Sequence, residues 1–227
     1  MTLKLSDLES LAGQLVVSAQ AYPGEPMRDP RTTAQVAASA VIGGAAAIRV
    51  QGIADIQFTR AAVEVPVIGL WKDGHDGVFI TPTLRHALSC ANAGAHIVAI
   101  DGTRRPRPDG LTLAETVAGI HAESNALVMA DCGSLDDAVA AAAAGADLIG
   151  TTLAGYSGER PKTDGPDLEL IAQIATAALG RPLIAEGRIH SPAQARQALD
   201  AGAFAVVVGT AITHPASITG WFKDALG

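Results

Sequence analysis

The chain has 227 residues, 48% of them hydrophobic but only 4% aromatic, and a formal net charge of -7. The acidic balance, with no basic cluster, argues against a nucleic-acid partner, and no apolar run approaches the ~18 residues of a membrane span. Cys90 and Cys132 lack CxxC spacing and read as buried thiols of a reducing cytoplasm.

In chain order, residues 1–13 read as a short helix capping the bottom of the fold. Asp7, Glu9, Gly13 and Gln14 interrupt the apolar core that a signal peptide would need. A strand over 15–20 is followed by a helix over 32–42 and a strand ending in Ile48-Arg49-Val50. Next come a helix over 53–63, a strand over 65–72, a helix over 83–93 and a strand ending in Val98-Ala99-Ile100-Asp101. A helix over 112–123, a strand over 126–131 and a helix over 134–144 lead to the strand ending in Ile149-Gly150-Thr151-Thr152. The chain closes with a helix over 167–178, a strand over 182–187, a helix over 192–201, a strand ending in Val207-Val208-Gly209 and a helix over 216–226. A Gly-Ala pair precedes every second strand, at Gly44, Gly94, Gly145 and Gly202, at spacings of 50, 51 and 57 residues. Each Gly stands where a helix must end in a left-handed turn, which Gly adopts without steric cost. Eight strands alternating with eight helices at this period predict one α/β domain over residues 1–227, a (β/α)₈ TIM barrel with a short N-terminal helix. The chain holds neither a GxGxxG fingerprint nor a P-loop, which lowers the rival open doubly wound sheet.

In such a barrel the chemistry sits at the C-terminal ends of the strands. The odd strands end in Gln20, Lys72, Asp131 and Glu186, which predicts an inward layer of four polar side chains at the mouth. A slip of one residue would break that inference. Arg49 ends the second strand and offers a planar fork to a substrate anion, or to Asp131 or Glu186. Gly187-Arg188 and Gly209-Thr210 follow strands seven and eight, where barrels often bind phosphate through backbone N–H groups. Asp101 ends the fourth strand and is a further candidate contact. Residues 73–77 read as a polar turn rather than a metal loop, and Arg104, Arg105 and Arg107 as a solvated loop. His86, His96 and His121 read as structural.

The runs Leu15 to Ala21, Ala47-Ile48-Arg49, Val67 to Asp73, Val78 to Thr83, Met129-Ala130-Asp131, Ile149 to Tyr156, Ile184 to Gly187 and Val208 to Thr213 together resemble the N-acetylmannosamine-6-phosphate 2-epimerase family, over nearly the whole chain and in order. The resemblance implies interconversion of N-acetylmannosamine 6-phosphate and N-acetylglucosamine 6-phosphate in sialic acid catabolism. It implies Lys72 and Glu186 as catalytic groups and Gln20, Arg49 and Asp131 as substrate contacts, with neither metal nor organic cofactor. Thr151 and Tyr156, in the Thr-Thr-Leu-x-Gly-Tyr run, join the substrate-binding set. The partner so implied is a phosphorylated amino sugar, and the family suggests a cytoplasmic homodimer. One departure stands out: the family usually reads Ala-Ile-Thr-Arg-Pro after the last strand, and here it is Ala211-Ile212-Thr213-His214-Pro215. A fixed charge thereby becomes a titratable one.

Epimerisation beside a carbonyl removes a proton, holds a planar enediolate and returns a proton on the other face. Strands three and seven lie across an eight-stranded barrel, so Lys72 and Glu186 could address opposite faces of one carbon. Two other readings stand: Lys72 as a Schiff-base nucleophile in an aldolase-like or thiazole-synthase-like barrel, and a silent barrel that only binds a metabolite.

Overall fold

The computed structural model describes residues 5–227. Residues 1–4 of the expected N-terminal helix lie outside the described residues, and Leu5–Leu11 form a 3-10 helix. Eight strands follow: β1 (Leu15–Ala19), β2 (Ala47–Gln51), β3 (Val67–Leu70), β4 (Ile97–Asp101), β5 (Leu127–Asp131), β6 (Leu148–Gly150), β7 (Leu183–Glu186) and β8 (Ala205–Val208). They pair in parallel, each with its sequence neighbours, and β8 returns to β1 to close a barrel. Between and after them run α1 (Pro30–Ile42), α2 (Ile53–Ala62), α3 (Leu84–Asn92), α4 (Leu113–Glu123), α5 (Leu135–Ala143), α6 (Leu168–Ala177), α7 (Pro192–Asp200), α8 (Thr210–Thr213) and α9 (Pro215–Leu226). The fold is the TIM barrel that the alternation predicts.

Most of the strands are buried end to end, because the helices cover their outer face and neighbouring side chains fill the inner one. The inner filling is Val16, Ala47, Ile68, Leu70, Ile97, Ala99, Leu127, Met129, Leu148, Ile184, Ala205 and Val207, with Leu8 and Leu11 of the 3-10 helix packed against it. The four repeat glycines all take positive φ, between 93° and 105°, just past the ends of α1, α3, α5 and α7. Ser134 and Ser191 cap α5 and α7 through their side-chain oxygens.

Two expectations change. The last polar residues lie beyond the regular ladder: Gln20 follows β1, and Lys72 stands two residues past β3. The chain there pairs with its own returning loop. Lys72 bridges Ile80 in antiparallel fashion, and the Thr81 N–H donates to the Trp71 carbonyl at 2.8 Å. A short helix, α8, is also inserted between β8 and the last long helix.

Candidate active site

Side chains of a strand alternate between its two faces, so the inward parity of the core residues fixes what reaches the mouth. On β1 the inward series Val16 continues through Ser18 to Gln20; on β3 Ile68 and Leu70 continue to Lys72. Met129 leads to Asp131 and Ile184 to Glu186. Gln20, Lys72, Glu186 and Arg49 line one cavity of about 450 Å³ at this end of the barrel, a size that suits a small metabolite. Asp131 does not reach it: the carboxylate is wholly buried beneath Arg49.

Arg49 is the keystone of the floor. Only 1% exposed, it holds Asp131 in a two-pronged pair, with Nη1 to Oδ1 at 3.0 Å and Nη2 to Oδ2 at 2.6 Å. Its Nη1 also stands 2.9 Å from Glu186 Oε2. Thr152 Oγ1 is 2.6 Å from Asp131 Oδ1 and 3.2 Å from Glu186 Oε2, which ties the two carboxylates together. Burial opposes the charge on Arg49, but Asp131 and then Glu186 outweigh it and hold its pKa above the ordinary value. The guanidinium is a permanent cation in a low-dielectric floor.

Lys72 and Glu186 are shifted toward each other. Burial first, and then the Arg49 charge, lower the Lys72 pKa against the pull of Glu186 and Asp131. Burial, assisted by the Asp131 charge and opposed by Arg49 and Lys72, pushes Glu186 up to about 7. Two groups on facing strands, one shifted down and the other up, are suited to act as proton donor and acceptor.

The loops after β7 and β8 complete the cavity through Gly187, Arg188, Gly209 and Thr210. Gly187 has φ 114°, so a Cβ there would be strained. Gly209 caps α8, and the first N–H groups of a helix have no intrahelical acceptor. Tyr22 and Tyr156, each about half exposed, stand at the rim. Burial and then the neighbouring Tyr156 and Glu25 raise the Tyr22 phenol's pKa.

This architecture has close counterparts. Residues 33–227 match the family model described as "Putative N-acetylmannosamine-6-phosphate epimerase". A Cutibacterium acnes protein named "Putative N-acetylmannosamine-6-phosphate 2-epimerase" is 63% identical over 220 residues, covering 96% of each chain. The chain belongs to the N-acetylmannosamine-6-phosphate epimerase family. The solved structure of the N-acetylmannosamine-6-phosphate 2-epimerase from Clostridium perfringens superposes with a TM-score of 0.92 at 36% identity, over 96% of this chain and 95% of that one. A thiamine phosphate pyrophosphorylase from Pyrococcus furiosus, at 18% identity and a TM-score of 0.59 over 96% of this chain and 98% of that one, shares the fold alone.

Beside Asp131, three more side chains depart from the role expected of them in the sequence. Thr151 is buried and faces away from the cavity; its hydroxyl donates to the Glu186 carbonyl and accepts the Glu186 N–H, which fixes the end of β7. Thr152 is the residue that lines the cavity. The alternation Leu148, Gly150, Thr152 carried that signal in the sequence. His214 lines the wall, but its Nδ1 meets Ser217 at the start of α9 and its Nε2 pairs with Glu25 of the β1–α1 loop. Both ring nitrogens are spent inside the protein, so His214 does not present a free ligand edge to the cavity. Arg188 lines the cavity, yet its guanidinium donates to the β6–α6 loop.

Elsewhere, Asp101 accepts from Thr103 and Arg105 and does not line the cavity. Arg107 is buried and donates to the carbonyls of Asp101 and Thr81, which corrects the expectation of a solvated loop at that residue, while Arg104, paired with Asp137 and Glu159, stays exposed and Arg105 partly so. His96 accepts the Val67 N–H and His121 pairs with Asp147, both structural. His75, in the polar turn after Lys72, stands at the cavity rim.

Proposed function

We propose that the protein epimerises C2 of an N-acetylated hexosamine 6-phosphate, converting N-acetylmannosamine 6-phosphate to N-acetylglucosamine 6-phosphate in amino sugar catabolism. The observation that carries this is the placement of Lys72 and Glu186 on facing strands of one cavity, with their pKa values displaced toward neutrality. The open-chain sugar lies between them. One group takes the C2 proton, the Arg49 and Lys72 charges favour the enolate oxygen at C1, and the other group delivers a proton to the opposite face. A single proton shared by Lys72 and Glu186 has two placements, and each serves one direction of the reaction. Gln20, Thr152 and Tyr156 offer polar contacts to the sugar. The backbone around Gly187–Arg188 and Gly209–Thr210 receives the phosphate.

Incubation with N-acetylmannosamine 6-phosphate, followed through the anomeric NMR signals, tests the reading directly: new signals of N-acetylglucosamine 6-phosphate support it, and an unchanged spectrum refutes it. Borohydride inactivation with a sugar adduct on Lys72 would instead support the Schiff-base reading.

We also read the protein as a cytoplasmic homodimer. Its two thiols are free and buried, and among the described residues no helix is long and apolar enough to cross a membrane. α9 buries none of its residues and exposes Trp221, Phe222 and Leu226, an apolar face suited to a second copy. Sedimentation equilibrium of the wild type and of Phe222→Asp checks the assembly: a dimer lost in the variant supports it, and a wild-type monomer refutes it.

A further inference from the structure

The β6–α6 loop, residues 151–167, walls the cavity through Thr152, Leu153 and Tyr156, and one side chain from outside it holds its two limbs together. Arg188 donates through Nη1 to the Ala154 carbonyl at 2.8 Å on the ascending limb. On the descending limb it donates through Nε to the Gly165 carbonyl at 3.1 Å and through Nη2 to Thr163 Oγ1 at 3.0 Å. The guanidinium carbon lies 5.3 Å from the centre of the Tyr156 ring, close enough for a cation–π contact. The limbs themselves approach so closely that a Cβ on Gly155, whose φ is +78°, would stand 2.7 Å from the Lys162 Cα. Arg188 adopts a left-handed backbone, φ 54°, rare for a residue with a side chain. Such a conformation persists only when surrounding contacts over-determine it, and here those contacts are the three donated bonds and the ring.

We propose that Arg188 is a positioning residue: its guanidinium latches the β6–α6 loop so that Tyr156 walls the mouth of the cavity. Phosphate recognition is left to the backbone of the loops after β7 and β8. A lysine cannot replace it, because one ammonium does not match a planar fork that reaches two carbonyls and a hydroxyl while stacking on a ring. The proposal rests on the functional reading above for its kinetic consequence, but not for its structural one.

The test uses the full chain with Arg188→Ala and Arg188→Lys. Arg188→Ala raises KM for N-acetylmannosamine 6-phosphate tenfold or more, a larger change than the fall in kcat. The competitive Ki of inorganic phosphate stays within twofold of wild type. Millimolar guanidinium lowers the raised KM again. Trypsin cleaves the Lys162–Thr163 bond at least tenfold faster, read by mass spectrometry. Arg188→Lys shows the same changes at smaller size, and decides the matter should the alanine variant fail to fold. A phosphate Ki that rises in step with KM, at an unchanged cleavage rate, would overturn the proposal and make Arg188 a phosphate ligand. Unchanged KM and unchanged cleavage would overturn it outright. A wild type that turns over no sugar phosphate would remove the functional reading alone, since the cleavage rate still reports the latch.

Discussion

The floor and the rim of the cavity are built on different principles. On the floor, Arg49, Asp131, Glu186 and Thr152 hang from adjacent and facing strands and hold each other at 2.6 to 3.2 Å, with Arg49 and Asp131 fully buried. At the rim, Tyr22 and Tyr156 stand on loops about half exposed, each in contact with a side chain from a distant segment, His214 for Tyr22 and Arg188 for Tyr156. Glu25 accepts the Tyr22 N–H and pairs with His214, while Arg188 holds the loop that carries Tyr156. The floor's strength is electrostatic and depends on exclusion of water. The rim's strength is a handful of single contacts in solvent, each of modest worth. Changes to the floor should therefore cost catalysis or folding, and changes to the rim should cost affinity.

The largest effect is expected from Lys72→Met, which removes an ionisable group facing the reacting carbon but keeps its bulk. Turnover in both directions should fall by at least ~10³, about 4 kcal/mol. A loss of only about tenfold would place the catalytic group elsewhere.

Arg49→Met breaks the same floor in another way. It leaves Asp131 and Glu186 buried side by side without their shared cation, which typically costs about 3–5 kcal/mol. Urea titration should show the midpoint falling by that equivalent. A variant as stable as wild type would mean that the pair contributes nothing net to the fold.

Glu186→Gln should lower turnover by ~10²-fold and change the pH profile. With Glu186 pushed up to about 7, its carboxylate is protonated below that pH and is lost as a base. The wild-type kcat/KM profile should therefore have an acid limb near 7, absent from the residual activity of the variant. The stability effect has a definite sign. Because the folded pKa lies above the ordinary 4.5, the native state binds more protons, and Glu186's stabilising contribution is present below 4.5 and lost as pH rises through about 7. Glu186→Gln should flatten that part of the stability curve, as thermal melts between pH 4.5 and 8 would show.

The smallest change tests the rim. Gly209→Val meets Ser18 Cβ within 3.3 Å and crowds the backbone beside α8, with no positive-φ strain because φ is -108°. KM for the sugar phosphate should rise about tenfold, ~1.4 kcal/mol, with kcat less affected. An unchanged KM would place the phosphate elsewhere.

The same contrast explains what could be read from the sequence. Strand alternation is a local rule, so the inward series ending in Gln20, Lys72, Asp131 and Glu186 follows from the polar strand ends alone. It errs where a residue's depth matters, since Asp131 points inward but lies beneath Arg49; at β6 the rule itself selects Thr152, which shares the parity of Leu148, over the Thr151 that was expected. The rim obeys no local rule. Glu25 meets His214 across 189 positions of chain and Arg188 meets Ala154 across 34, and no periodicity announces such pairs. The burial of Arg107 was hidden in the same way, because one of its acceptors, the Thr81 carbonyl, lies 26 positions away.

The central claim is that Lys72 and Glu186 handle the C2 proton from opposite faces. Conversion of unlabelled N-acetylmannosamine 6-phosphate in D₂O, stopped early and read by ¹H NMR, tests it most directly. Each product molecule should carry one solvent deuterium at C2, because the group on the far face delivers a proton that was never on the substrate. Product that keeps its original C2 hydrogen would contradict it, and would mean that one shielded base carries the proton across.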